Sequence, residues 1–370
     1  MARILLNASL ADSLLRFRGD LIADIIMLGH EVHVTAPDFA VETHRALQAL
    51  GAVVHSVPLR SSGLNVLADA YYFYNIYRTI KQTNVDLVIG YTIKPNIWGS
   101  LAARAAGVES VSMVTGLGYA FILREGLVRK ATQKLAQLLY RFATSANKIV
   151  IFQNPDDRAD FIAAGSLADP SKSRLVNGSG VDIDYFSAVP LPEKPIFLMI
   201  SRFLWTKGVG EYCKAAIRLI ERQIDAEFLL VGYSWTGPDA ISSDQLRRWE
   251  DGGVKMLGKL SDVRPAMTAA SVYVLPSWRE GTPRSVLEAL AMGRPVITTD
   301  APGCRETVKQ GLNGLLVPVQ NVAALADAME LLAGDPATRI QMGGNSRSIA
   351  ETKYAVRAVN LTYIDHFNLR

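Results

Sequence analysis

Short apolar runs alternate with helix-length segments through this chain, and they do so in two successive series. In the first half the runs are residues 4–8, 31–36, 53–57, 86–90, 110–114 and 148–152. They are rich in Val and Ile and show no in-out alternation, which predicts parallel strands buried on both faces. Residues 13–28, 66–82 and 127–143 predict helices between them, the first ended by Gly29 as a C′ glycine. Crossovers this short imply a doubly wound sheet.

After Asp182 the texture changes. Pro190, Pro192 and Pro195 crowd around Glu193-Lys194, a composition that favours an extended connection. A second series then begins, with strands expected at 196–200, 227–231, 254–257, 272–275, 296–299 and 315–317. Helices are expected at 209–223, 239–250, 263–270, 285–292 and 322–333. Two α/β domains of the Rossmann kind follow, a count that 370 residues also favour. The expected boundaries are 1–185, 186–350 and a final helix, 351–370, that packs back on the first domain. In sheets of this kind ligands bind beyond the carboxyl ends of the strands.

Composition removes several function classes. Two cysteines, Cys213 and Cys304, cannot build a disulfide scaffold or a cysteine-rich zinc site, and they fit a reducing compartment. A net charge of +4 is too small and too dispersed for a nucleic-acid surface. No uncharged apolar run approaches the roughly 18 residues of a membrane span. Met1-Ala2-Arg3 leads straight into Ile4-Leu5-Leu6, which reads as a first strand and not as a secretory leader. No Gly-x-Gly-x-x-Gly follows that strand, which argues against a nicotinamide cofactor.

The densest group of reactive side chains runs from Pro276 to Ile297, out of a buried strand, through a polar turn and into a helix. Pro283 fits the first helical position, and the N–H groups of Thr282, Ser285 and Val286 would face an anion at the helix start. Glu280 lies before the helix and Glu288 within it, followed by Ala289-Leu290-Ala291. A carboxylate beside such small residues calls for hydroxyl partners. The bland alternatives are a helix-start acid for Glu280 and a solvated face for Glu288. A second group, Ser201-Arg202-Phe203-Leu204-Trp205-Thr206-Lys207-Gly208, follows the first strand of the second series. A guanidinium fork with an ammonium suits a diphosphate; exposed basic residues are the alternative. Leu230-Val231-Gly232 ends the next strand in a glycine that lets a ligand approach the backbone.

Glu280 and Glu288 resemble the E-x7-E signature of family-4 retaining glycosyltransferases of the GT-B fold. Arg202 with Lys207-Gly208 resembles that family's diphosphate motif. The resemblance extends to Phe17-Arg18-Gly19-Asp20-Leu21, Gly29-His30-Glu31-Val32, Thr115-Gly116-Leu117-Gly118, Asn177-Gly178 and Gly180-Val181-Asp182. It is strongest to bacterial enzymes that extend polyprenyl-diphosphate-linked sugars. It implies two Rossmann-like domains facing across a cleft, a UDP-sugar donor, and transfer with retention of configuration. Arg202 and Lys207 would hold the diphosphate, and Glu288 the ribose. Glu280 would hold the donor sugar, assisted by Gly281, Thr282, Pro283, Ser285, Val286 and Gly232. No cofactor and no metal site are expected, and no Asp-x-Asp metal pattern is read.

The chain departs from the wider family twice. Asn7-Ala8-Ser9-Leu10 stands where many members have a Gly-Gly loop. None of His30, His33, His44, His55 and His366 falls at the usual first-domain histidine position. There Gly116 and Gly118 would leave room for the acceptor or its diphosphate, with Arg18 as a partner; a surface ion pair is the other reading of Arg18. The stretch Phe121-Ile122-Leu123-Arg124 through Arg129, Lys130, Lys134 and Leu138-Leu139-Tyr140-Arg141-Phe142 mixes basic and apolar side chains, and Tyr71 to Tyr77 is rich in aromatics. Both fit contact with the cytoplasmic face of the inner membrane, though ordinary packing helices would look similar. A soluble small-molecule glycosyltransferase and a GT-B nucleotide-sugar epimerase share these motifs.

Overall fold

The computed structural model describes residues 1–60, 63, 65–117 and 127–370, with backbone only for 127–129. It divides into two compact units, Met1–Ser179 with Arg357–Arg370, and Gly180–Val356. In unit 1 the described residues form a seven-stranded sheet of β1 (Arg3–Asn7), β2 (Glu31–Ala36), β3 (Val53–Ser56), β4 (Leu87–Tyr91), β5 (Glu109–Val114), β6 (Ile149–Phe152) and β7 (Ser173–Leu175), in the order β3-β2-β1-β4-β5-β6-β7. Every pairing is parallel. In unit 2 they form a six-stranded sheet of β8 (Ile196–Phe203), β9 (Glu227–Ser234), β10 (Lys255–Gly258), β11 (Val272–Leu275), β12 (Val296–Thr299) and β13 (Gly314–Val317), ordered β10-β9-β8-β11-β12-β13 and again parallel throughout.

The uninterrupted apolar runs are explained by burial: β4, β6, β11 and β12 are buried at every position. Unit 1 packs apolar side chains on both faces of its sheet. The helix Val356–Phe367 contributes Val359, Tyr363, Ile364 and Phe367 to one of these cores. Tyr363 also donates its hydroxyl to Gly178 O at 2.8 Å.

Several boundaries differ from the sequence expectation. The units divide at 179/180 and 356/357, not at 185/186 and 350/351, because Val181 bridges Ala355 and exchanges backbone hydrogen bonds with Tyr354 and Val356. Val181 and Phe186 join the core of unit 2. Arg347 secures this segment further, donating from Nη1 to Ile183 O at 3.0 Å and to Ala291 O at 2.8 Å. The strand β7 was not foreseen. Strands β8 and β9 each continue three residues beyond expectation because they stay in register through Arg202↔Tyr233 and Phe203↔Ser234. The helix expected from 239 starts at Ser243, where the Ser242 hydroxyl accepts the N–H of Gln245.

Each sheet has one place where neighbouring strands send their connections in opposite directions, β1 beside β4 and β8 beside β11. Such a switch point opens a crevice at the carboxyl ends of the strands.

On the outer strands of unit 1, His33 Nδ1 lies 2.9 Å from His55 Nε2, and Glu31 Oε1 lies 3.0 Å from His33 Nε2. Burial, reinforced by the charge of His33, keeps His55 below its ordinary value of 6.5. The unfolded chain therefore protonates His55 first, and the stabilisation present above 6.5 is lost as the pH falls toward the lower folded value. The melting temperature should drop between about pH 7.5 and about pH 5.5 more steeply for wild type than for His55→Gln; equal slopes would refute the coupling.

Candidate active site

The switch point of unit 2 gathers most of the residues singled out from the sequence. Strand β8 ends in a single helical turn, Trp205–Lys207, closed by Gly208 at φ +76°. A Cβ on Gly208 would stand 2.0 Å from Pro276 O, so only glycine lets this turn cross the end of β11. Thr206 O accepts the hydroxyl of Ser277 at 3.1 Å and the N–H of Trp278 at 2.9 Å. The indole N–H of Trp278 donates to Glu211 Oε1 at 3.1 Å, in the first turn of the helix Val209–Glu221. Two loops from neighbouring strands are thereby stitched together.

Across this seam Lys207 Nζ meets Glu280 Oε1 at 2.5 Å, the side chains 20% and 14% exposed. Glu280 is fixed from behind by the loop after β12. Its N–H donates to Pro302 O at 2.9 Å, and a Cβ on Gly303, at φ +79°, would lie 2.1 Å from Glu280 O. Pro302-Gly303, a Pro-Gly pair after a strand, is itself a turn signal in the sequence and lies outside the expected site residues.

Pro283 stands one position earlier than expected. Its ψ of 109° is not helical, so it caps the helix Arg284–Ala291, and its carbonyl accepts the N–H of Val286 at 3.0 Å. Glu288 is half-buried and accepts from Arg284 Nε at 3.0 Å, an i,i+4 pair legible from the spacing yet not picked out. Beneath the helix start lies Tyr273 of β11. Its hydroxyl donates to Ile200 O at 3.2 Å, and burial pushes its phenol above the ordinary range, so it is a neutral donor.

Arg202 lies on β8, not after it. Its guanidinium carbon stands 4.9 Å from the ring centre of Trp235, and no carboxylate is paired with it among the described residues. Gly232 is also required by the packing of the sheet itself. A Cβ there would sit 1.8 Å from Ser201 O, so its open side is filled by β8.

Unit 1 holds the other candidates. Arg18 is 2% exposed, with its guanidinium carbon 5.5 Å from the Tyr91 ring centre and 5.2 Å from that of Tyr363, which is not a surface ion pair. Gly116 follows β5 at φ +139°, while Gly118 lies outside the described residues, as do Phe121 to Arg124. At the β1–β4 switch point Thr92 takes φ +71° and donates its hydroxyl to Ser9 Oγ at 2.8 Å. Next to it Lys94 Nζ meets Asp69 Oδ1 at 2.7 Å, both nearly buried. Of these four, Ser9 alone was named from the sequence, within Asn7-Ala8-Ser9-Leu10. Contrary to the expectation from sequence, Asp182-Ile183-Asp184 does spell Asp-x-Asp. It is a turn, in which Asp182 Oδ1 accepts the N–H groups of Asp184 and Tyr185, each at 2.9 Å.

The model of the glycosyl transferase 4-like domain matches residues 17–177, and that of glycosyl transferases group 1 matches residues 194–335. The chain is 29% identical, over 90% of each sequence, to the N,N'-diacetylbacillosaminyl-diphospho-undecaprenol alpha-1,3-N-acetylgalactosaminyltransferase of Campylobacter jejuni. It is 27% identical to the UDP-Gal:alpha-D-GlcNAc-diphosphoundecaprenol alpha-1,3-galactosyltransferase of Escherichia coli, over 79% of this chain and 77% of that one. Anabaena HepE in complex with UDP-glucose shares the fold, with a TM-score of 0.78 at 18% identity and complete coverage of both chains. The sucrose-phosphate synthase of Thermosynechococcus elongatus shares it too, with a TM-score of 0.79 at 18% identity over 100% of this chain and 98% of that one. Each Rossmann-like unit thus carries its own glycosyltransferase match, and the chain belongs to the family-4 glycosyltransferases of the GT-B fold.

Proposed function

We propose that this glycosyltransferase moves a sugar from a UDP-sugar to a polyprenyl-diphosphate-linked saccharide, retaining the anomeric configuration and requiring no metal. The observation that carries the reading is the convergence of Arg202, Lys207, Glu280 and Glu288 on one switch point. The names of the two bacterial relatives support the rest: both specify a diphospho-undecaprenol acceptor and an alpha linkage, and one specifies UDP-Gal.

In this reading the diphosphate lies against Arg202 and Lys207, which oppose the charge that grows on the leaving UDP. Such electrostatic stabilisation is worth most where water is excluded. The N–H groups from Gly281 to Val286 support the same anion at the helix start. Glu288, aligned by Arg284, accepts from the ribose hydroxyls. Glu280, aligned by Lys207 and the Pro302–Gly303 loop, accepts from hydroxyls of the donor sugar. The acceptor oxygen attacks the anomeric carbon from the face that UDP leaves. The bond to the β-phosphate oxygen breaks, and that oxygen takes the acceptor's proton. Glu280 therefore orients the sugar without forming a bond to it. Arg18 and Gly116 are assigned to the acceptor.

A lipid-linked acceptor places the enzyme at the cytoplasmic face of a membrane. The helix Leu127–Ala146 exposes Leu135, Leu138 and Phe142 along one stripe, flanked by exposed Lys130, Lys134 and Arg141. On the helix Val66–Thr83, Val66, Leu67, Tyr71 and Tyr74 are exposed. Apolar and aromatic side chains edged with basic ones suit an anionic lipid interface. No helix among the described residues is long and apolar enough to cross a membrane.

Thermal melts in EDTA with UDP, GDP and ADP test the donor site. A ligand at about 100 times its Kd stabilises by about 2.7 kcal/mol, a shift of a few degrees in a protein of this size. UDP is expected to give that shift; a shift only with added metal, or with no nucleotide, would overturn the reading. Transfer is then followed from a UDP-sugar to undecaprenyl-diphosphate-linked saccharide, with an alpha-linked product expected. Turnover of the donor to another nucleotide sugar without acceptor would identify an epimerase instead.

Two substitutions separate the acids. Glu288→Ala should weaken UDP binding by about tenfold or more, the loss of a charged hydrogen-bond partner. Glu280→Gln should leave UDP affinity within about threefold and lower kcat, because its partner is the sugar. Equal losses of UDP affinity in both variants would contradict the assigned roles.

A further inference from the structure

We propose that Trp235 is a positioning residue for Arg202, holding its guanidinium ready for the donor diphosphate; this deepens the donor-site reading and rests on it. The two site cations are held in opposite ways. Lys207 is ion-paired with Glu280, whereas Arg202 has no carboxylate or hydrogen-bond acceptor on its side chain among the described residues. Its guanidinium carbon lies instead 4.9 Å from the ring centre of Trp235.

Stacking of this kind uses the face of the guanidinium. The N–H donors lie in its plane and stay available for phosphate oxygens. A carboxylate in the same place would occupy those donors and neutralise the charge that the diphosphate needs. An aromatic face restricts the rotamers of the arginine without competing for its hydrogen bonds.

Trp235 is itself held in place. Its ring lies 6.2 Å from that of Tyr233, which faces Arg202 across β8 and β9 and carries Lys259 Nζ at 5.3 Å on its ring. The segment after Trp235 is clipped over the end of β8. Asp239 O accepts the N–H of Trp205 at 3.0 Å, the hydroxyl of Thr206 donates to Asp239 Oδ2, and Ile241 N donates to Phe203 O at 3.2 Å. The loop that presents Trp235 to Arg202 thus also anchors the turn that carries Lys207. Trp235 is 44% exposed, so its removal takes little from the core.

Calorimetric titration with UDP and with uridine tests this on the full chain, using wild type, Trp235→Ala, Trp235→Phe, Arg202→Ala and the Trp235→Ala/Arg202→Ala double variant. Trp235→Ala should weaken UDP binding roughly two- to fivefold, as expected for a half-exposed cation–aromatic pair, and Trp235→Phe should recover most of it. The same change in the Arg202→Ala background should cost nothing more. Uridine, which lacks phosphate, should bind all five proteins alike. Additive losses, or equal weakening of uridine and UDP by Trp235→Ala, would overturn the inference and leave the donor site standing. Failure of wild type to bind UDP would overturn both.

Discussion

The ion pair between Lys207 and Glu280 is the point on which the catalytic half of this molecule turns. It joins a loop leaving β8 to a loop leaving β11, and both side chains are mostly withdrawn from water. A pair so placed is weak evidence of stability, because desolvation consumes much of the Coulombic gain. Its value lies in geometry. The pair can form only because Gly208 passes within reach of Pro276 O and Gly303 sits against Glu280 O, positions where a side chain has no room. Backbone crowding thus sets where the two charges lie before any ligand arrives, and that is the preorganisation that transition-state stabilisation needs.

Both units use the same scaffold for different chemistry. Each is a parallel sheet with one switch point, and at each a lysine is paired with a nearly buried acid, Lys94 with Asp69 and Lys207 with Glu280. In unit 2 the neighbourhood is charged and rich in hydrogen bonds. In unit 1 it combines hydroxyls, the unusual backbone of Thr92, and a buried Arg18 between two tyrosine rings. Arginines elsewhere have a purely structural task. Arg339 donates to Leu332 O, Ala333 O and Glu193 O, and Arg347 to Ile183 O, Phe186 O and Ala291 O. These contacts bind the proline-rich connection to unit 2 and explain why the unit boundary falls before Val181.

Much of this was legible in the residue order because burial on both faces of a parallel strand demands an unbroken apolar run. That demand located all six strands of unit 1 foreseen from sequence to within one residue at each end, and β2, β11 and β12 at their observed limits. The two acids and two cations were legible because they lie in short segments bridging strand and helix, where charged residues in an apolar context need a partner. The short β7 strand was hidden because three residues carry no periodicity. Pro283 was misplaced by one position because local preference for a helix start cannot distinguish the cap from the first turn.

What sequence by itself determined is the class of fold, two doubly wound α/β units, and the charged residues of the donor site, since both follow from local pattern. Tertiary structure alone decided which groups meet. Trp235 beside Arg202, Glu211 beneath Trp278, Gly303 behind Glu280 and Asp239 against Thr206 are separated in the chain by 23 to 67 residues. Such pairs leave no periodic trace, because contact between strands depends on sheet order and register, which are properties of the folded whole.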